Sequence, residues 1–371
     1  MRFEFSATYY ALALVTGAWA APSVTPRQAN PFQTAAITDF AEPWALAFLP
    51  DNRILVTEKA GQLRLVDPVT KAKGTISGVP SVRYGGQGGF GDVALHPRFS
   101  ENSLVYISYA EAGTGGSGAA VARARLVLNT SGGGALQNVE VIWRQSQKVN
   151  GDGHFAHRIL FDSNSTLWIS SGERQQFDPA QSMTSNLGKI IRLNDDGTAA
   201  AGNPFTGGTV QSQIWALGIR NPLGIDWDEQ GRLWEVEMGP MGGDELNLIE
   251  KGGNYGWPIV SQGNHYDGRQ IPKHNTRPEF VAPKAFWNPV ISPSSLIIYK
   301  GNLFPNWKGN AIISALGAQG LVRVEISGNT AREAQRIGLG RRIRCVRQSA
   351  DGALWVLEDG AGGRLLKLTP R

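Results

Sequence analysis

Leu223-Gly224-Ile225-Asp226-Trp227, then Asp228-Glu229-Gln230-Gly231-Arg232, then Leu233-Trp234-Glu235-Val236 is the stretch from which the fold can be read. Two short runs rich in branched and aromatic residues flank a polar, glycine-containing turn, the pattern of an antiparallel strand pair. The same unit recurs along the chain. It appears as 44–48 with 54–56, 92–95 with 104–107, 158–161 with 167–169, 296–299 with 311–313 and 343–346 with 354–357. Six copies at intervals of roughly 45 to 75 residues match four-stranded units with loops of variable length. A lone hairpin sheet leaves two edges and an apolar face exposed, and a closed ring of such sheets covers both. The expectation is an all-β chain folded as a six-bladed β-propeller, with an irregular β-sandwich as the alternative. No stretch carries a long helical period, which argues against an α/β fold.

Composition agrees. Of 371 residues, 41% are hydrophobic and 18% charged, and the 46 glycines are spread along the chain as turn residues would be. The formal net charge is +5, without a Lys/Arg run interleaved with aromatics, so no nucleic-acid partner is expected. A single cysteine, Cys345, excludes an intrachain disulfide and a cysteine zinc cage. Met1-Arg2, the apolar run 9–15 and Ala18-Trp19-Ala20 together resemble a signal peptide over residues 1–20, cut after Ala20. The run is too short to cross a bilayer, so the mature chain is expected to lack a transmembrane segment and to be exported, to a periplasm or outside the cell. Residues 21–34, rich in Pro and polar residues, read as a loose leader before a propeller domain at 35–371.

Ring closure would gather the segments just outside the repeated strands at one mouth, and those segments hold the candidate chemistry. Gly85-Gly86-Gln87-Gly88-Gly89 lets backbone approach a ligand, though a glycine-rich turn is commonly only a turn. Gly153-His154-Phe155-Ala156-His157 offers a general base, or a structural histidine. The two histidines would point to opposite faces of a strand, which argues against zinc. Gly218-Ile219-Arg220-Asn221-Pro222 offers a fixed cation, or a loop brace. In Glu237–Asn247, Gly239-Pro240 carbonyls and the Asp244/Glu245 carboxylates are oxygen donors of the kind calcium takes, without EF-hand spacing. Arg341, Arg342, Arg344 and Arg347 form the one dense basic cluster, which by charge alone is a solvated edge strand.

Taken together, GGQGG at 85–89, GHF at 153–155, NLGKIIRLNDDG at 186–197, GIRNP at 218–222, GDELNLIEKGGNYGWP at 243–258 and RIRCVRQSADGALWVLED at 342–359 resemble the soluble quinoprotein aldose and glucose dehydrogenases. The resemblance runs in order from about residue 40 to 370. It implies a six-bladed propeller that carries pyrroloquinoline quinone (PQQ) and calcium over the channel mouth and passes hydride from the anomeric carbon of a sugar to the quinone. Electrons then go to an external acceptor. By the same resemblance His154 is the base, Glu173 the acid that orients it (Asp in the family), and Arg220 a partner of the reacting centre. Gln87, Arg220 and Asn221 contact the cofactor, and Arg342 and Arg344 bind its carboxylates. The Gly239 and Pro240 carbonyls bind the cofactor's calcium, and Glu245 and Tyr255 a second calcium. The chain departs from the family pattern at Gly317, where a Lys is usual, at Cys345 for Asp and at His157 for Gly; Arg341 is the candidate to offset the lost lysine. A dehydrogenase of another alcohol or of an aldehyde such as sorbosone is the near alternative. A cofactor-free propeller binding a protein or a glycan is the distant one. Calcium-dependent lactone hydrolysis is disfavoured because the Asn/Asp/Glu ring of such sites is missing.

Overall fold

A computed structural model describes residues 30–371, and the recurring turn explains why their regular structure is almost wholly β-strand. In the stretch quoted above, Asp228 Oδ1 accepts the backbone N–H groups of Gln230 and Arg232, closing the turn, while Oδ2 accepts the indole N–H of Trp234 at 2.9 Å. Asp162 does the same for Asn164, Thr166 and Trp168. At the last copy Asp351 takes the backbone of Ala353 and Ser349 takes Trp355. At the first two, one side chain satisfies the turn and anchors the tryptophan of the following strand; at the last, Asp351 and Ser349 divide those tasks.

The first strand, β1 (Phe32–Phe40), stands apart from the units that follow it. β2 (Pro43–Phe48), β3 (Ile54–Glu58), β4 (Gln62–Val66) and β5 (Lys73–Ser77) form one antiparallel meander, and β6 (Phe90–Leu95), β7 (Leu104–Gly113), β8 (Gly116–Leu128) and β9 (Gly134–Arg144) the next. Their outer edges meet in a short parallel pairing, Ile76 with Gly134 and Ser77 with Ala135, making an eight-stranded sheet. Three four-stranded meanders follow. These are β10 (Ala156–Phe161), β11 (Leu167–Ser171), β12 (Lys189–Leu193) and β13 (Ile214–Leu217), then β14 (Pro222–Trp227), β15 (Leu233–Glu237), β16 (Asp244–Ile249) and β17 (Ala285–Trp287), then β18 (Pro293–Ile298), β19 (Ala311–Ala315), β20 (Gly320–Ser327) and β21 (Thr330–Gly338). The last sheet joins both ends of the described chain. β22 (Ile343–Gln348), β23 (Leu354–Glu358) and β24 (Gly363–Pro370) take β1 as their outer strand, in register from Phe32 opposite Pro370 to Phe40 opposite Gly363.

The first strands of the meanders touch in cyclic order, β2 to β6, β10, β14, β18, β22 and back to β2. Residues from all six line a single channel cavity of about 460 Å³. The second strands β11, β15 and β23 are buried at every position, because neighbouring sheets cover both faces. The signal peptide expected at 1–20 lies outside the described residues, as does 21–29 of the leader. The leader's expected end is revised: Phe32–Thr34 lie in β1, held by ladder bonds to β24.

Candidate active site

Gln87, His154, Arg220, Asn221 and Arg342 lie in the loops that enter first strands and Arg344 on β22, while Glu173 follows β11, Gly239 and Pro240 follow β15, Glu245 lies on β16 and Tyr255 just after it. Entering β10 the chain turns through left-handed conformations at His154 (φ 48°) and at the strand's first two residues, Ala156 and His157. Gln87 holds this turn: its Oε1 accepts the His154 N–H at 2.8 Å, and its own N–H donates to Asp152 O. The two loops interlock at Gly86, where a Cβ would lie 2.7 Å from the Asp152 carbonyl, so a side chain there would push them apart. His154 and His157 consequently face different cavities. His157 is fully buried, stacks on Trp44 with centroids 5.2 Å apart, and has its pKa pushed down to about 3 by burial, which keeps it neutral.

His154 Nδ1 is hydrogen-bonded to Glu173 Oε1, and Glu173 Oε2 accepts the Phe177 N–H at 2.7 Å. Burial, followed by the nearby Arg220 charge, lowers the His154 pKa below the ordinary imidazole value against the opposing pull of Glu173. For Glu173, burial opposes ionisation but the hydrogen bond from His154 and the Phe177 N–H outweigh it, and its pKa falls below the usual carboxylate value. An ionised Glu173 fixes the proton on Nδ1 and leaves the Nε2 lone pair free to accept another. His154, Glu173, Arg220, Pro240 and Trp257 line one cleft of about 380 Å³.

Arg220 precedes β14. Its backbone N–H donates to Glu237 Oε2 at 2.6 Å, and Nη1 donates to the carbonyls of Met238 and Gly239 at 2.9 and 2.7 Å. Its Nε finds no acceptor among the described residues, and Asn221, 1% exposed, has both side-chain amide atoms unpartnered there. Buried polar groups are ordinarily paired, so these orphans mark a place shaped for polar atoms from outside the chain.

A second cavity, about 430 Å³, is lined by Gln87, Trp44, Arg342, Arg344, Asp359 and Lys59, among others. Arg342 and Arg344 share Asp359, donating from Nε to its two oxygens at 2.8 and 2.7 Å, so both face the cavity from one side. Lys59 donates to Glu42 at 2.8 Å across the same space. With Arg342 and Arg344 it faces two carboxylates, Glu42 and Asp359, which leaves one positive charge in excess. Arg341, the candidate to offset the lost lysine, does not line this cavity, whereas Lys59 does. Sequence reasoning missed Lys59 and Asp359. Asp359 closes the quoted 342–359 motif, but nothing local tells that two arginines bind it.

The expected metal ligands surround a third space, of about 10 Å³, lined by Glu237, Gly239, Pro240, Glu245 and Tyr255 and large enough for about one ion. The Gly239 carbonyl already accepts from Arg220 and keeps a second lone pair. The Tyr255 hydroxyl is committed to Leu248 O and the Glu250 N–H, and its carbonyl to His274. Asp244 braces the next strand, accepting Gly239, Ile291 and Ser292 N–H groups. On β15 and β16 Glu237 lies opposite Glu245, and Glu235 opposite Asn247, all buried. Burial first, then mutual repulsion, raises Glu235 and Glu245 well above the ordinary carboxylate pKa; burial pushes Glu237 up to about 7. Among the described residues no group of three or more His, Cys, Asp or Glu forms a complete metal-ligand set, so a cation here would need backbone carbonyls as well.

Comparison with known proteins follows the same path. The family model described as glucose / sorbosone dehydrogenase matches residues 40–367. Aldose sugar dehydrogenase YliI of Escherichia coli (strain K12) is 36% identical over 97% of this chain and 97% of its own length. The crystal structure of the soluble aldose sugar dehydrogenase from Escherichia coli in the apo-form superposes with a TM-score of 0.85 at 36% identity, covering 92% of this chain and 100% of that one. The PQQ-bound aldose sugar dehydrogenase from Streptomyces coelicolor superposes with a TM-score of 0.74 at 26% identity, again over 92% of this chain and 100% of that one.

Proposed function

Because this chain belongs to the glucose / sorbosone dehydrogenase family, we propose that it is an exported, PQQ- and calcium-dependent oxidoreductase that oxidises aldoses at the anomeric carbon and passes the electrons to an external acceptor. The six meanders are the blades of one closed propeller, with the site at a channel mouth.

The observation that carries this reading is a buried, neutral His154, oriented by Glu173 and sharing a cleft with Arg220. His154 Nε2 accepts the proton of the anomeric hydroxyl, and Glu173 stabilises the imidazolium that results. Arg220 supplies a fixed positive charge where negative charge gathers on oxygen. The burial of this set, with His154 6% and Glu173 1% exposed, excludes bulk water from the proton transfer.

The residues present fit the cofactor. The unpartnered Asn221 amide and Arg220 Nε, together with the excess positive charge beside Arg342 and Arg344, suit a planar polycarboxylate. Gln87, Arg220, Asn221, Arg342 and Arg344 would hold it, and PQQ, when bound, supplies the two-electron acceptor. The Gly239 and Pro240 carbonyls would hold the cofactor's calcium, which would supply Lewis-acid polarisation, and Glu245 with Tyr255, beside Glu237, a second calcium that would supply charge balance.

The test is reconstitution of the purified protein with PQQ and calcium, followed by dye reduction over a panel of aldoses. We expect turnover that falls roughly 10²–10⁴-fold in His154→Ala. A variant as fast as wild type removes the base assignment, and no reduction with any aldose removes the reading.

A further inference from the structure

His154 is held by more than its carboxylate. The peptide plane between Gly153 and His154 is gripped at both ends. Gln87 Oε1 accepts its N–H at 2.8 Å, and Arg174 Nε donates to its carbonyl, Gly153 O, at 2.9 Å. The next carbonyl, that of His154 itself, accepts the Arg174 main-chain N–H at 3.2 Å. One residue therefore holds the carbonyls on both sides of the His154 side chain, and that residue directly follows Glu173. His154 and Arg174 both sit in the left-handed region, at φ 48° and 59°, a conformation that persists where surrounding bonds impose it.

The rest of the guanidinium grips the segments around the base. Nη1 donates to Ser117 O at 2.9 Å, on β8 of the neighbouring meander, and Nη2 donates to Gly151 O. The central carbon lies 3.7 Å from the middle of the Phe155 ring. Arg174 is 0% exposed, yet among the described residues no carboxylate accepts a hydrogen bond from it. Buried cations are ordinarily paired with an opposite charge, as Arg158 is with Asp92. Asp152 and Glu173 are the carboxylates whose fields reach Arg174, while Glu173, Arg220 and Arg174 are the charges that reach His154. An apolar side chain would fill this space without burying a charge. What arginine adds is a rigid fork of donors that fixes three carbonyls at once. We propose that Arg174 is a positioning residue for the base: by clamping the Gly153 and His154 carbonyls it aims the imidazole so that Nδ1 meets Glu173 and Nε2 points into the cleft. This rests on the reading of His154 as the base of an aldose-oxidising site.

Two variants and two readouts test it. Arg174→Lys keeps the charge but replaces the fork with one ammonium, and Arg174→Met removes both. The first readout is nitrogen NMR of the His154 imidazole in the protein without PQQ, assigned by the signals lost in His154→Gln. The wild type should show one tautomer, with the proton on Nδ1, and should titrate below 6.5. Both variants should mix the tautomers, and only Arg174→Met, which has lost the charge, should also move the titration up towards 6.5. The second readout is kinetics with PQQ and calcium. In Arg174→Lys kcat should fall roughly 10- to 100-fold with KM nearly unchanged, since the aim of the base matters in the transition state and not in sugar binding. Should Arg174→Met fold poorly, Arg174→Lys carries the test. A lowered Tm with wild-type tautomer and kcat would make Arg174 a brace of the fold and overturn the proposal. A wild type that reduces no dye with any aldose overturns the enzymatic reading instead, while mixed tautomers in the variants would still support the clamp.

Discussion

Two buried charged regions of this molecule are alike in burial and opposite in what they need. In the channel Asp92 and Arg158 are nearly inaccessible, at 0% and 2% exposure, yet they face each other. Arg158 donates to Leu223 O at 2.7 Å, to Ser294 O at 2.6 Å and to Asp92, and it lies 3.8 Å over the Trp44 ring. Burial lowers its pKa only to about 10, so it keeps its charge, and Arg347 adds a second contact to Asp92. Near the mouth Glu235, Glu237 and Glu245 are equally buried but carry the same sign, and Glu235 Oε1 and Asn247 Oδ1 have no partner among the described residues. The first region is complete within the chain. In the second the three carboxylates outnumber the Arg220 charge that lines the same space, and the gap there has the size of an ion. Where buried charges are matched internally the fold is being held; where they are not, the partner comes from outside.

The largest effect should come from breaking the matched region. Arg158→Met leaves Asp92 with much of its charge uncompensated, and urea unfolding should show a loss of about 3–5 kcal/mol that calcium does not restore. A loss under about 1 kcal/mol would mean that the channel pair is not a structural element. The unmatched region should respond to cations instead. Calcium at roughly a hundredfold its Kd should stabilise the wild-type protein by about 2.7 kcal/mol, seen as a rise in Tm, and Glu245→Gln should abolish that response. Equal responses from wild type and variant would break the contrast.

The smallest effect sharpens the contrast at the base. As the proposed base, His154 would work as the neutral imidazole, and its pKa is lowered, so kcat/KM should hold through pH 7. It should fall only as the pH drops through a value below the ordinary one of about 6.5. Glu173 is the group that raises this pKa, so Glu173→Gln should shift the acid limb further down. A limb that moves up instead would assign it to another group.

The contrast also marks how far the sequence could be read. The strand pairs and their turns were legible because an Asx-type turn and the tryptophan six residues after its Asp are local features, as at Asp228 and Trp234. The clusters around Gln87, His154, Arg220 and Arg342 were legible through the family resemblance. Of the buried glutamates, Glu245 was legible in the same way, but Glu235 and Glu237 were not. Leu233-Trp234-Glu235-Val236-Glu237 alternates like a half-exposed strand, but sheets cover both faces of β15 and turn its polar side inward. Lys59 lies in a turn after β3, and only the closing of the ring brings it opposite Arg342 and Arg344. The leader boundary failed for a related reason: Phe32–Thr34 become a strand only by pairing with the far end of the chain.

That pairing has a consequence for how the molecule is made. β1 emerges from the ribosome before every other described strand, and its partner β24 emerges last. Until β24 is synthesised this sheet cannot seal, and the edges of β1 and β23 stay open to other chains. Deleting residues 363–371 should therefore leave a protein with five intact meanders and no clasp, one that binds chaperones rather than substrate.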